Sequence, residues 1–153
     1  MRIGIDATAL LDEQSGVEVH VLTAVEALAR VATDDELVVF VRRRPPARWL
    51  DLANRLQICA LPTGSQAAAT QVHLPRAVRR AGVDVLYCPA KPPPATVGVP
   101  VLDGIHDAVP WTRPHSMGRG AACWYRTFDR LAVRRRAHVA TVSEASATEI
   151  MRV

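Results

Sequence analysis

No apolar run in this 153-residue chain approaches the roughly 18 residues that carry a helix across a bilayer. That excludes a hydrophobic spanning helix. The opening Met1-Arg2-Ile3-Gly4-Ile5-Asp6 is too short, and too soon interrupted by a carboxylate, to read as a signal peptide. A soluble, cytoplasmic chain is expected. Cysteine is sparse: Cys59, Cys88 and Cys123 lie far apart with no Cys-x-x-Cys pair, which excludes a zinc ribbon or a thioredoxin-like redox motif. The three thiols are expected to be buried and reduced, and no metal is expected. Neither Gly-x-Gly-x-x-Gly nor a Walker-type Gly-Lys-Ser/Thr occurs, so a standard dinucleotide or P-loop site is excluded and no cofactor is expected. Aromatics make up only 5% of the chain, so the core must be built from Val, Leu, Ala and Ile. Lysine is almost missing; Lys91 is the only one, and the formal net charge of +4 rests on arginine. Arginine suits phosphate and carboxylate recognition. With no nucleic-acid motif and few aromatics to stack bases, a nucleic-acid partner is not expected.

What remains is ordinary globular composition, with 49% hydrophobic and 22% charged residues. Residues 2–6 read as a buried strand and 7–16 as a loop. Val21, Leu22, Val25, Leu28, Ala29 and Ala32 recur at helical spacing. Residues 36–41, Glu-Leu-Val-Val-Phe-Val, form an apolar run without alternation, as a strand covered on both faces does. A short helix is expected near 47–54, a strand over 56–61, and a helix over 66–81 closed by Gly82 as a C′ glycine. A strand over 84–88 precedes a proline-rich loop from Pro89 to Pro100. A fifth strand leads to Ile105. A helix over 117–136 puts Ala121, Trp124, Phe128 and Leu131 on one face, expected to be core. A strand over 138–142 and a helix capped by Ser143 complete the order. Alternating strands and helices with short loops predict an α/β fold: a Rossmann-like, doubly wound parallel sheet with helices on both faces, forming one domain over 1–153. Ligands of such sheets bind at the carboxyl ends of strands, near a topological switch point.

Three stretches fall at such ends. Ser15-Gly16-Val17 opens the first helix, where a glycine lets a phosphate approach free backbone N–H groups; the alternative is that Gly16 merely makes the turn. His106-Asp107 follows the fifth strand. His106 is suited to take or share a proton near neutral pH, and Asp107 to orient it or to accept from a sugar hydroxyl. Ser143-Glu144 reads chiefly as a helix cap. Asp103 is unusual inside an apolar strand. Arg126, Arg130 and Arg134 share one helix face, with Arg135 and Arg136 beside them; they read as a solvated face, or as a surface for an anionic membrane or a lipid-linked phosphate.

Met1 to Ala7, Ser15-Gly16-Val17, Asp84-Val85-Leu86-Tyr87-Cys88-Pro89, Val101 to Pro110, Trp124-Tyr125-Arg126 and Val139 to Ser146, in this order, resemble the amino-terminal domain of GT-B glycosyltransferases of the large retaining family four ("group 1" type). The resemblance covers essentially the whole chain. It implies a hexosyltransferase-type enzyme that moves a sugar from a nucleotide-sugar donor to a sugar, lipid-linked or small-molecule acceptor. It places Ser15, Gly16 and Val17 on the donor diphosphate side, and His106 and Asp107 beside the transferring sugar. Two departures stand out: Glu18 puts a carboxylate near that phosphate position, and Asp103-Gly104 interrupt a usually apolar strand. The donor-gripping carboxy-terminal domain would lie beyond Val153, so a truncated chain, inactive alone, is expected. The competing expectation is a stand-alone α/β binding module without chemistry of its own.

Overall fold

The computed structural model describes residues 1–10, 15–135 and 137–153. Strands β1 (Arg2–Asp6), β2 (Glu36–Val41), β3 (Leu56–Ala60), β4 (Val85–Cys88), β5 (Val101–Gly104) and β6 (His138–Ala140) form one sheet in the order β3-β2-β1-β4-β5-β6. Every adjacent pair is parallel. The chain lays down β1, β2 and β3 in one direction, then returns to the other side of β1 for β4, β5 and β6. The switch point therefore lies between β1 and β4. This is the α/β, Rossmann-like doubly wound sheet that the alternation of apolar runs predicts.

Helix α1 (Gly16–Val31) covers one face. Its buried Val21, Val25 and Ala29 pack with Ile5, Leu37, Val39 and Trp49. On the opposite face, Val38, Phe40, Leu86 and Cys88 pack with Leu74 and Val78 of helix α3 (Leu74–Ala81). Burial of each large side chain contributes about 1.5–3 kcal/mol. The uninterrupted Leu37-Val38-Val39-Phe40-Val41 run is buried throughout because β2 lies between β1 and β3 with both faces covered.

The helical stretch expected over 66–81 is three pieces: α2 (Gln66–Ala68), a π turn over Ala69–His73, and α3. Pro75 explains the break. It brings no N–H and crowds the carbonyl one turn back, and a widened π turn accommodates it. Gly82 ends α3 at φ 62°, as its C′ position predicts. The short helix α4 (Val109–Thr112) and a 3₁₀ turn over Pro114–Ser116 have no counterpart in the sequence reading. Helix α5 (Arg119–Arg134) and helix α6 (Glu144–Ile150) follow, and β6 ends two residues earlier than expected. Ser143 caps α6 through its Oγ, which accepts the Ser146 N–H at 3.1 Å.

Two expectations are corrected. The residues α5 buries are Ala122, Asp129 and Ala132, not the aromatic stripe. Trp124 and Phe128 are half-buried and stack on each other at 4.2 Å between ring centroids, Leu131 is half-buried, and Ala121 is exposed. Of the thiols, Cys88 is buried, Cys59 half-buried and Cys123 exposed. Arg136 and residues 11–14 of the first loop lie outside the described residues. Among the described residues no helix is long and apolar enough to cross a membrane.

Candidate functional site

At the carboxyl edge of the sheet three segments converge: the start of α1, the loop after β4, and the loop after β5. They enclose a cleft of about 180 Å³ whose walls include Val17, Lys91, His106, Asp107, Tyr125 and Asp129. A larger hollow of about 1000 Å³ lies between α3 and the proline-rich loop, beside Gln71, Arg79, Gly82 and Val99. It holds none of the candidate site residues Ser15, Gly16, Val17, His106 and Asp107 and sits away from the strand ends that such folds use for ligands. The smaller cleft is the candidate site.

Ser15 caps α1. Its Oγ accepts the Glu18 N–H at 3.3 Å, and Glu18 Oε2 accepts the Ser15 N–H at 2.9 Å, a reciprocal capping box. Glu18 is buried, and its carboxylate folds back on the start of α1 beside Ser15. Gly16 is exposed, and a Cβ added there would meet nothing within 4 Å. Its φ also lies outside the positive range, which among the described glycines Gly64, Gly82 and Gly118 occupy. Neither packing nor backbone conformation requires a glycine at this position. What its absent side chain provides is open approach to the first turn of α1.

His106 is half-buried. Its Nε2 lies 2.6 Å from the Pro89 carbonyl oxygen. A carbonyl can only accept, so Nε2 carries the proton and, in the neutral ring, Nδ1 is left as an acceptor. Gly104 makes this contact possible: a Cβ there would lie 2.9 Å from the same Pro89 oxygen and 3.1 Å from the Cys88 oxygen. The glycine that interrupts β5 thus admits the carbonyl that holds His106. The His106 ring also meets His20 of α1 edge-on, with centroids 4.6 Å apart. Burial first, then the neighbouring His106, pushes His20 below its ordinary pKa, so His20 favours its neutral form. Asp107 is exposed, and its Oδ1 accepts the Val109 N–H at 2.8 Å. The group that holds His106 is therefore Pro89, not Asp107.

The sheet floor is acidic. Cys88 and Asp103 are register partners on β4 and β5, and Asp6 ends β1. Asp6 Oδ1 accepts the Thr8 N–H at 2.9 Å, and burial raises its pKa. Asp103 is buried and its Oδ2 has no partner among the described residues. Burial, then the neighbouring Asp129, pushes its pKa up to about 8. Asp129 is held near 7 by burial. The Cys88 thiol is pushed well above its ordinary value by burial and then by Asp6 and Asp103. Among the described residues no cluster of three His, Cys, Asp or Glu could hold a metal.

The residues expected from the sequence do come together: Val17, His106 and Asp107 share the cleft wall, with Ser15 and Gly16 at the adjoining helix start. Lys91, Tyr125, Asp129 and His20 were not anticipated there. Lys91 carried a signal as the lone lysine. His20 stands four residues after Gly16, one turn along the same helix face. Asp129 and Tyr125 carried none, because their placement depends on how α5 packs.

Six parallel strands, helices on both faces and a cleft at the switch-point edge define a Rossmann-like α/β domain, the shape of one half of a GT-B glycosyltransferase. The family model for Glycosyltransferase Family 4 matches residues 14–153, and the chain belongs to that family. A search of curated proteins finds no match.

Proposed function

We propose that this chain forms the acceptor side of a glycosyltransferase that moves a hexosyl group from a nucleotide-sugar to an acceptor with retention, the donor being gripped mainly by a second α/β domain. The observation that carries the reading is the cleft itself. A proton-bearing His106 fixed by Pro89, the exposed start of α1 and the Asp107 carboxylate meet at the one sheet edge where this fold binds ligands. Within the reading, Gly16 and Val17 bring backbone N–H groups and the positive end of the helix toward the donor diphosphate. With Nε2 donating to Pro89, the His106 Nδ1 of the neutral ring is free to accept from a sugar hydroxyl, and Asp107 borders the acceptor. The chemistry needs no metal, because helix dipole and cationic side chains can balance the charge that develops on a leaving diphosphate.

The reading extends to peripheral contact with an anionic membrane surface. His115, Arg119, Arg126, Arg130 and Arg134 line a groove of about 810 Å³ along α5, and the only carboxylate on that helix, Asp129, is buried. A membrane-bound acceptor would fit such a surface.

Calorimetry with UDP- and GDP-sugars, followed by hydrolysis and transfer assays on the longest reading frame containing this chain, tests the proposal. Turnover that His106→Ala reduces at least 100-fold (about 2.7 kcal/mol of transition-state stabilisation) is expected. Absence of nucleotide-sugar binding in every form would leave a binding module without catalysis as the better account. Sedimentation with vesicles containing phosphatidylserine tests the membrane contact, which Arg126→Glu with Arg130→Glu is expected to abolish.

A further inference from the structure

Lys91 stands out as a cation that forms no ion pair among the described residues; the carboxylate that feels its charge, Asp6, is buried at the end of β1 and does not hydrogen-bond it. It sits in a loop whose neighbours Pro89, Ala90, Pro92, Pro93 and Pro94 are all buried. Gln71 pins that loop: its Nε2 donates to the Pro93 oxygen at 3.3 Å, and its Oε1 accepts the Ala95 N–H at 2.7 Å. His106 pins the loop's other end through the Pro89 carbonyl. The ammonium is thus presented from a rigid support, at the wall of the cleft.

Its one hydrogen-bond partner among the described residues is Tyr125. Lys91 Nζ donates to the Tyr125 oxygen at 3.2 Å and lies 5.7 Å from the ring centroid. No carboxylate forms an ion pair with it among the described residues. Asp107 already accepts from the Val109 N–H, and Asp129, whose pKa burial raises to about 7, is only partly ionised near neutrality and forms no ion pair with Lys91. A half-buried ammonium is paired in most folded proteins, because burial without an anion is unfavourable. Here the hydroxyl of Tyr125 accepts from Lys91, so its own O–H remains to donate. Two donor groups on adjoining walls, one of them charged, with the first turn of α1 bordering the same cleft, suit a compact anion with several acceptor oxygens.

We propose that Lys91 and Tyr125 form a subsite for a phosphate group carried by the acceptor, so that the acceptor is a phosphorylated compound. The proposal rests on the acceptor-side reading of this cleft and names the chemistry of what it receives. Lys91 supplies charge, Tyr125 on α5 fixes its direction and adds a donor, and the pinned proline-rich loop keeps Lys91 in place without the phosphate.

Because Lys91 is the only lysine, ¹⁵N,¹³C-lysine labelling yields one side-chain resonance that reports this position alone. The probes are inorganic phosphate, glucose 6-phosphate, glucose and UDP, titrated at constant ionic strength set with chloride. Expected is a saturable shift of the Lys91 signal with phosphate and glucose 6-phosphate in the millimolar range, and none with glucose or chloride. Tyr125→Phe keeps the label and should weaken phosphate binding roughly 3- to 10-fold, the loss of one hydrogen bond. Lys91→Met should abolish the rise in melting temperature that phosphate gives the unaltered chain. A Lys91 signal unmoved by phosphate, or moved equally by chloride, overturns the subsite. A signal that UDP moves at far lower concentration than glucose 6-phosphate assigns the anion to the donor and overturns the acceptor assignment. If nucleotide-sugar turnover is found while the Lys91 signal ignores phosphate, this proposal fails alone. If phosphate binds Lys91 but no nucleotide-sugar is turned over in any form, the glycosyltransfer reading fails and the phosphate site stands.

Discussion

The two halves of the sheet are built from different materials. Across β3, β2 and β1 the interior is mainly hydrocarbon, with buried Asp6 at the carboxyl end of β1 as the exception: Ile5, Val38, Val39 and Phe40 are fully buried and clasped by α1 and α3. Across β5 and β6 the interior is mixed. Asp103 and Asp129 are buried, the Thr141 hydroxyl has no partner among the described residues, and Val139 is 42% exposed on the edge strand. The apolar half gives the fold its stability. The mixed half, which borders the cleft, is where protonation and ligands can change the molecule. Strain and unpaired polarity commonly concentrate near functional sites, supported by a firm core elsewhere.

Substitutions that probe each half should therefore behave differently. The largest loss belongs to the hydrocarbon half: Phe40→Ala should lower stability by about 3–5 kcal/mol, read as a drop in the denaturant midpoint that does not vary between pH 5 and pH 9. An effect under about 1 kcal/mol would mean that the core does not rest on β2.

Gly104→Ala comes next. The added methyl would press on the Pro89 carbonyl at 2.9 Å, and overpacking of this kind lowers stability by about 1–3 kcal/mol. Because that carbonyl holds His106, the His106 ring resonances should also move. A stable variant with unchanged His106 signals would break the link between β5 and the site.

The acidic half carries a pH signature. Unfolded, both carboxyls titrate near about 4; folded, Asp103 keeps its proton up to about 8 and Asp129 up to about 7. Between those limits the folded chain binds more protons than the unfolded one, so stability falls as pH rises through about 4 to 8 and levels off beyond. Asp103→Asn removes much of that slope. Its melting temperature should exceed that of the unaltered chain by a few degrees at pH 8.5 and match it near pH 5. Parallel pH profiles for the two proteins would show that the carboxyl is not held in its neutral form.

The smallest effect lies at the cleft mouth. Ser15→Ala removes one half of the α1 capping box and should lower stability by about 1 kcal/mol, measured by thermal or denaturant unfolding. A change near zero would mean that Ser15 does not cap α1 in solution.

The hydrocarbon half was largely legible in the sequence. Leu37 to Val41 is an unbroken apolar run, Val21, Val25 and Ala29 keep helical period, and Gly82 marks the end of α3; each is a local pattern with a local cause. The mixed half was legible only in part. Asp103 showed itself as a carboxylate in a strand, and His106 as a histidine at a strand end. The stripe of Trp124, Phe128 and Leu131 misled, because apolar spacing identifies a helix face but not which face turns inward. Asp129 takes the inner position near Asp103, and that juxtaposition joins residues 26 apart in the chain. The π turn before α3 was hidden for a similar reason: Pro75 announces a disturbance of the helix without saying whether it breaks, kinks or widens.

Hydrogen exchange in the presence and absence of UDP- and GDP-sugars, with mass-spectrometric readout along the chain, tests most directly whether the switch-point cleft is the working site. The account predicts added protection at the start of α1 (15–20), in the loop around Lys91 (89–92) and after β5 (104–109), with α3 unchanged. Protection confined to α3 and residues 96–99, around the larger hollow, would contradict it.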